Sequence, residues 1–165
     1  MADVFSKSKR SEVMSRIRSR GNKDTELALA RLLRAHKVSG WRRQVQVRSG
    51  ECGVRNSAGR TRAASLRVPR SALRTFTVRP DFVFPKSKLA VFVDGCFWHG
   101  CSRHATKPKS NRAFWKNKLT KNKIRDRRVN RALRAAGWRV LRIWECRLKK
   151  NPQSCMNRIL RALNA

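Results

Sequence analysis

VFVDGCFWHGCSRH, residues 91–104, decides the reading of this chain. It continues an apolar run, Leu89, Ala90, Val91, Phe92 and Val93, that is short, rich in β-branched and aromatic side chains, and closed by Asp94-Gly95. Such a run predicts a buried β-strand over 89–93. A loop at the end of a buried strand is held by a rigid scaffold, so chemistry concentrates there. His99 and His104, two of the three histidines, lie in this loop with Cys96 and Cys101, two of the five cysteines, and with the adjacent aromatics Phe97 and Trp98.

Upstream, residues 78–85 read VRPDFVFP. They predict a second strand with Pro80 at its start, where a missing N–H does least harm. Lys86-Ser87-Lys88 forms the turn, so 78–93 reads as a hairpin with Asp81 on one strand and Asp94 at the end of the other. Two carboxylates on adjacent strands of a basic protein form the usual skeleton of a metal-dependent nuclease. By spacing alone, Asp94-Gly95 reads equally well as a plain turn.

The protein is basic in the extreme. In 165 residues, 42 Lys and Arg stand against 9 Asp and Glu, a formal charge of +33. A field of that sign concentrates polyanions, which makes nucleic acid the default partner and an anionic membrane surface the weaker one. No apolar run approaches membrane-spanning length, and no secretion signal is read, so the expected location is the bacterial cytoplasm, at the nucleoid. An odd number of cysteines in that setting argues for metal ligation over a disulfide framework. With so few acids, each carboxylate deserves inspection as a magnesium ligand, because magnesium prefers carboxylate oxygens. Length and hydrophobic content fit a single domain over 1–165.

Downstream, residues 111–136 predict a long helix. Trp115, Leu119, Val129, Leu133 and Ala136 share one face at about 100° per residue, and Asn122 and Asp126 lie on the same stripe. A carboxylate on an apolar stripe requires a partner, since burying it alone is costly. Gly137 ends the helix. Residues 138–144, WRVLRIW, alternate apolar and basic and predict a half-exposed strand closed by Glu145-Cys146; Pro152 precedes a short amphipathic helix. Toward the N-terminus, Asp24 or Thr25 can cap a helix carrying Leu27, Leu29, Leu32 and Leu33. Glu26 in its first turn reads on composition alone as a surface acid offsetting the helix dipole. Residues 41–47 alternate roughly, as a strand would. Residues 48–79 hold eight arginines, no lysine and one acid, Glu51. So long a segment without periodicity reads as an Arg-rich insertion, with Cys52 a bystander.

Two sites follow from these residues. Cys96, Cys101 and His104, spaced C-x4-C-x2-H, with Cys146 from a distant strand end, predict a closed tetrahedral structural zinc site; three small buried cysteines are the plainer alternative. His99, pinned between two ligands and near Asp81 and Asp94, can act as general base or acid near neutral pH. Phe97 and Trp98, if exposed, suit wedging between base pairs; if buried, they are core.

The motifs MADV, RSEVMSRIRSR, RPDFVF, VFVDGCFWHGC, FWKNKLTKNKIRDRR and GWRVLRIWEC, with the Glu26 helix, together resemble the very short patch repair endonucleases. These bacterial enzymes nick DNA at T:G mismatches left by deamination of 5-methylcytosine. The resemblance covers most of the chain outside 48–79 and implies an α/β, restriction-endonuclease-like core, a mixed β-sheet flanked by helices. The usual lysine of the (D/E)xK motif is missing, with Asp94-Gly95-Cys96 in its place. By resemblance, Asp81 is the catalytic, magnesium-binding aspartate, the peptide carbonyl at Val93 is a further magnesium ligand, and Asp94 adds a carboxylate. His99 is the catalytic histidine, Asp126 the acid beside it, and Glu26 an active-site acid. Phe97, Trp98 and Trp115 match the aromatic wedge, Met14 a residue inserted from the N-terminal arm, and Lys118 and Asn122 mismatch-reading positions. Cys96, Cys101, His104 and Cys146 match the zinc set. The implied function is magnesium-dependent hydrolysis of one phosphodiester in double-stranded DNA at a T:G mismatch, with other mismatch-repair proteins as further partners. A non-catalytic zinc-containing DNA-binding protein on the same fold is the alternative.

Overall fold

The structure is a computed structural model, and it describes residues 8, 9, 12, 23–48, 77–104, 108 and 111–165. Met14, Cys52 and most of the expected insertion therefore lie outside the described residues. Among the described residues, six strands form two sheets. The larger has the order β1 (Arg42–Arg43), β4 (Phe82–Phe84), β5 (Leu89–Asp94), β6 (Arg139–Trp144). The smaller pairs β2 (Val47–Arg48) with β3 (Thr77–Val78). The predicted hairpin is present, with β4 antiparallel to β5 and Val83 opposite Ala90. Strands β5 and β6 run parallel, with Leu89 opposite Arg139 and Asp94 opposite Trp144. The sheet is thus mixed, as expected.

A parallel pair needs a long crossover, and helix α2 (Arg112–Ala135) supplies it. Helix α1 (Ala28–Ala35), α3 (Glu145–Lys150) and α4 (Pro152–Asn164) complete the set. Two cores lie on opposite faces of the sheet, and strand parity assigns residues to them. Phe82, Phe84, Leu89, Val91, Val93 and Ile143 pack with Leu29 and Leu33 of α1 and Met156 and Ile159 of α4. Val83 and Ala90, of the other parity, pack with Leu133 of α2, and Val129, Phe92 and Val140 close around them. Covered on both sides, β4 and β5 read as continuous apolar runs because neither face can afford a charge. Each fully buried Phe or Leu contributes roughly 2 kcal/mol of transfer free energy.

Helix α2 follows its predicted stripe. Trp115, Leu119, Asn122, Asp126, Val129 and Leu133 are withdrawn from solvent, while the intervening lysines and arginines are exposed. It terminates at Gly137, which takes φ +77°, and the Trp138 amide bonds back to the Leu133 carbonyl. Helix α4 begins with Pro152 at its first turn, and the Asn151 side chain caps the Ser154 amide.

Four expectations change. The strand expected over 78–85 is split: β3 ends at Val78, β4 begins at Phe82, and Pro80 and Asp81 stand in the bend between them, because Pro80 cannot donate to a ladder. Helix α1 starts later than expected: a π-helical turn, Lys23–Leu27, runs straight into it, its N-cap position is Leu27, with no side-chain cap, and Thr25 is buried. The strand expected over 41–47 is two short pieces, because Gln44 adopts φ +57° and breaks it. Cys146 lies within helix α3 rather than at a strand end. Among the described residues, no helix is long and apolar enough to cross a membrane.

Candidate active site and metal centre

Asp81 sits at the bend between β3 and β4, following the fully buried Pro80. The left-handed turn at Gln44 brings its amide to the Asp81 carbonyl at 3.3 Å. The Asp81 carboxylate accepts one strong bond, from the Val93 amide to Oδ2 at 2.8 Å. Burial pushes its pKa up to about 6; the Val93 amide opposes this, and the neighbouring Glu26 and Asp94 carboxylates add to it. The Arg142 charge lowers it only as the last of these influences, and the hard oxygen donors of Asp81 suit a divalent cation.

Glu26 is 5 % exposed, so it is not the surface acid that composition suggests. Its Oε2 accepts from Arg43 Nη2 at 3.0 Å and Gln44 Nε2 at 2.9 Å. Buried charge is tolerated because it is paired and hydrogen-bonded.

His99 Nδ1 lies 2.6 Å from Asp126 Oδ2 and 3.6 Å from Asp94 Oδ1. Asp126 is thus the acid on the apolar stripe, and His99 is its partner. Burial alone would raise the Asp126 pKa, but the His99 bond and the Arg142 charge outweigh it and hold the group below the usual carboxylate range. Asp94 differs from expectation: both its oxygens are occupied by Arg142, Nε to Oδ2 at 2.6 Å and Nη2 to Oδ1 at 2.7 Å. Arg142 was not anticipated. Its signal was parity, since it shares a strand face with Val140 and so points toward α2 instead of solvent. Glu26, Asp81, Asp94, His99, Lys118 and Asp126 all line one cavity of about 670 Å³.

The loop after β5 is wound tightly. The His99 amide bonds to the Gly95 carbonyl and the Cys101 amide to the Cys96 carbonyl. Gly100 takes φ +64°, a conformation strained for any residue with a side chain; an added Cβ would also stand 2.6 Å from Lys123 Cε, which would have to swing aside. This winding brings the ligand atoms of Cys96, Cys101, His104 and Cys146 within 4.8 Å of one another. Cys101 Sγ is 3.9 Å from both Cys146 Sγ and His104 Nδ1. Two thiolates on one tetrahedral zinc stand roughly 3.8 Å apart, so the donor set and spacing both suit zinc. Amides of the Cys101 loop favour its thiolate, with the Arg103 amide contributing most, and bring the thiol down to about 6; burial pushes Cys96 up to about 12. Glu145 Oε2 accepts the Cys96 amide at 3.3 Å and ties the loop to α3. Cys155, by contrast, is fully buried among core residues.

Phe97, Trp98 and Trp115 form a half-exposed aromatic cluster with ring centroids 5.1 to 6.0 Å apart. Phe114, also unanticipated, extends it at 5.4 Å from Trp115 and is 53 % exposed. It falls off the apolar stripe of α2, and that exposed apolar position was the available clue. Asn122 Nδ2 donates to the Trp98 carbonyl at 2.9 Å, so this side chain holds the aromatic loop. Lys118 is exposed at the cavity rim.

A family model described as DNA mismatch endonuclease Vsr matches residues 66–107, which carry Asp81, Asp94, His99 and three of the four clustered metal-ligand residues. Among curated proteins, the Type II nicking enzyme V.NaeI of Lentzea aerocolonigenes is 56% identical over 68 residues, 41% of each chain. The Type II nicking enzyme V.NmeAIP of Neisseria meningitidis is 41% identical over 90 residues, 53% of this chain and 63% of its own. The DNA mismatch endonuclease Vsr of Escherichia coli K12 is 44% identical over 72 residues, 43% of this chain and 46% of its own. The chain thus spans about half the length of the curated relatives it matches.

Proposed function

We propose that this chain is a DNA endonuclease of the Vsr kind, a reading the matched segments support: it would hydrolyse one phosphodiester in double-stranded DNA at a T:G mismatch, with magnesium in the active site and zinc held by the Cys/His cluster. The convergence of Asp81 with the His99–Asp126 pair in one cavity, beside an aromatic cluster, carries this reading. The fold is then the restriction-endonuclease-like core.

Asp81 and the Val93 carbonyl would hold magnesium. When bound, the ion polarises the scissile phosphate and offsets charge that develops there. The proton between His99 and Asp126 belongs on Nδ1, where the carboxylate accepts it, which leaves the Nε2 lone pair available as a base. Nε2 takes a proton from water as the water oxygen attacks phosphorus and the bond to the leaving sugar oxygen breaks. Glu26 orders Arg43 and Gln44 and, through the Gln44 backbone, the Asp81 bend.

Phe97, Trp98 and Trp115 would wedge beside the mismatch, at a cost of a few kcal/mol in unstacking offset by added contact. Met14 would enter from the N-terminal arm. Lys118 would read the mismatch, and Asn122 would share that task through the Trp98 loop it holds. Cys96, Cys101, His104 and Cys146 would hold zinc in a closed structural site. Other mismatch-repair proteins are the natural further partners.

Magnesium-dependent nicking of a T:G duplex over its matched T:A counterpart tests the reading. Asp81→Ala should abolish nicking while duplex binding persists. Binding without nicking in the unaltered chain would instead identify a non-catalytic zinc-containing DNA-binding protein.

A further inference from the structure

Arg142 is the most heavily engaged side chain of the cavity. Nε and Nη2 grip both oxygens of Asp94 at 2.6 and 2.7 Å. The same Nη2 lies 3.1 Å from Asp126 Oδ1, and Nη1 donates to Asn130 Oδ1 at 3.1 Å. The guanidinium stands 4.8 Å from the Phe92 ring centroid, and its carbonyl receives Arg158 Nη2 at 3.4 Å. Its side chain is 19 % exposed and that of Asp94 only 6 %.

One planar fork therefore joins β5, β6 and α2. The elements it joins carry Asp94, Arg142 and Asp126, respectively. Asp126 Oδ1 faces Arg142 while Oδ2 faces His99, so the carboxylate is fixed from both sides. A lysine could not reproduce this, because an ammonium has no planar fork. A carboxylate held bidentately by a buried guanidinium is also a poor metal ligand. One lone pair on each oxygen is already directed at an N–H donor, and the guanidinium charge repels a cation at the same carboxylate, so ligation would have to loosen the fork that joins Arg142 to Asp94.

We infer that Arg142 is the positioning residue of this site: it withdraws Asp94 from magnesium ligation and orients Asp126 so that the imidazole of His99 is held in one tautomer. The inference rests on the nuclease reading above. It assigns Asp94 to the support of the base and leaves Asp81 the only carboxylate of the group directed at magnesium.

The test uses the full chain with Arg142→Met, Arg142→Lys, Asp94→Asn and Asp81→Asn. Magnesium binding is measured by calorimetry in the absence of DNA. Asp81→Asn should lose it, whereas Asp94→Asn should stay within about threefold of the parent. A tenfold or greater loss in Asp94→Asn would overturn the inference. The His99 ring is read by 15N chemical shifts. Arg142→Met should convert a single Nδ1–H tautomer into a mixture, and an unchanged ring would overturn the inference. In single-turnover nicking, Arg142→Met should lower the rate 10- to 100-fold, the usual range for supporting residues, with duplex affinity nearly unchanged. Arg142→Lys should fall between and keep the protein folded if the methionine variant does not. Absence of nicking in every chain, parent included, would refute the nuclease reading alone, since the calorimetric and ring signals need no turnover.

Discussion

The backbone amide of Val93 donates to Asp81 Oδ2 over 2.8 Å, so the end of one strand holds the carboxylate that projects from its neighbour. This bond favours the charged form, yet burial prevails and the group titrates near 6. The sign of the consequence is definite. The folded state binds more protons at Asp81 than the unfolded chain between about pH 4 and pH 6, so this group's contribution to stability falls as pH rises through that window. Its size is on the order of 3 kcal/mol. Asp126 has the opposite sign: its depressed value contributes stability at neutral pH that is lost in acid. Without added magnesium, Asp81→Asn should therefore melt higher than the parent at pH 7 and lose the advantage by pH 4. Magnesium competes with the proton, so its affinity in the parent should weaken nearly tenfold per unit below pH 6 and level off above. A pH-independent affinity between 4.5 and 6 would contradict this.

The metal loop makes a second prediction. Its four donors come from residues 96–104 and from Cys146 on α3, so zinc would tie distant segments together. Such ligation contributes directly to folding free energy. The purified chain should contain about one zinc. Replacing Cys96 or Cys146 by Ser should remove the metal and the cooperative thermal transition, whereas Cys155→Ala should keep the zinc while losing only some core packing. A metal-free parent that melts cooperatively would sink the idea.

The aromatic cluster makes a third. Trp98→Ala should weaken binding to a T:G duplex more than to a matched one, because a wedge acts on stacking and not on charge. Phe114→Ala should do the same to a smaller degree, since its ring is the exposed edge of the cluster. Equal losses on both duplexes would count against intercalation.

Features repeated over several residues were legible in the sequence. Six positions of α2 fall on the predicted stripe, and two continuous apolar runs about the Lys86-Ser87-Lys88 turn mark the hairpin, because such patterns average over many contacts. The four metal-loop residues were legible because cysteine and histidine are rare here and their chemistry is narrow. Single-residue geometry was not. Nothing in the string RRQVQV announces that Gln44 turns left-handed and sends its side chain to Glu26. The arginine that grips Asp94 was not legible, because it stands 48 residues away on a parallel neighbour, and that register is a tertiary fact. Arg142 read as solvent-facing because alternation gives two faces without saying which of them the helix covers.

The last prediction concerns the Arg-rich segment. Strands β2 and β3 pair antiparallel across it, with Val47 opposite Val78 and Arg48 opposite Thr77. The sheet has therefore formed on both sides of the segment, and Asp81 reaches its place in the cavity. That counts against the view that the segment breaks the fold ahead of Asp81. Its eight arginines and single acid suit phosphate contact, and each phosphate neutralised steepens the log–log salt dependence of duplex affinity by nearly one unit. Two excisions grade the effect. Removing 49–65 leaves the family-matched residues from 66 onward intact and deletes three arginines and Glu51. Removing 49–76 and joining Arg48 to Thr77 through Asn-Gly, a turn that suits an antiparallel pair, deletes six arginines and the same acid. The salt slope should flatten in that order, with affinity falling alike for matched and mismatched DNA. Preference for T:G should survive both excisions, because neither removes a residue of the cavity, the metal loop or the aromatic cluster. Salt-titrated binding and nicking on all three chains decide the matter: an unchanged slope, with nicking appearing only after excision, would mean that the segment obstructs the enzyme and does not grip DNA.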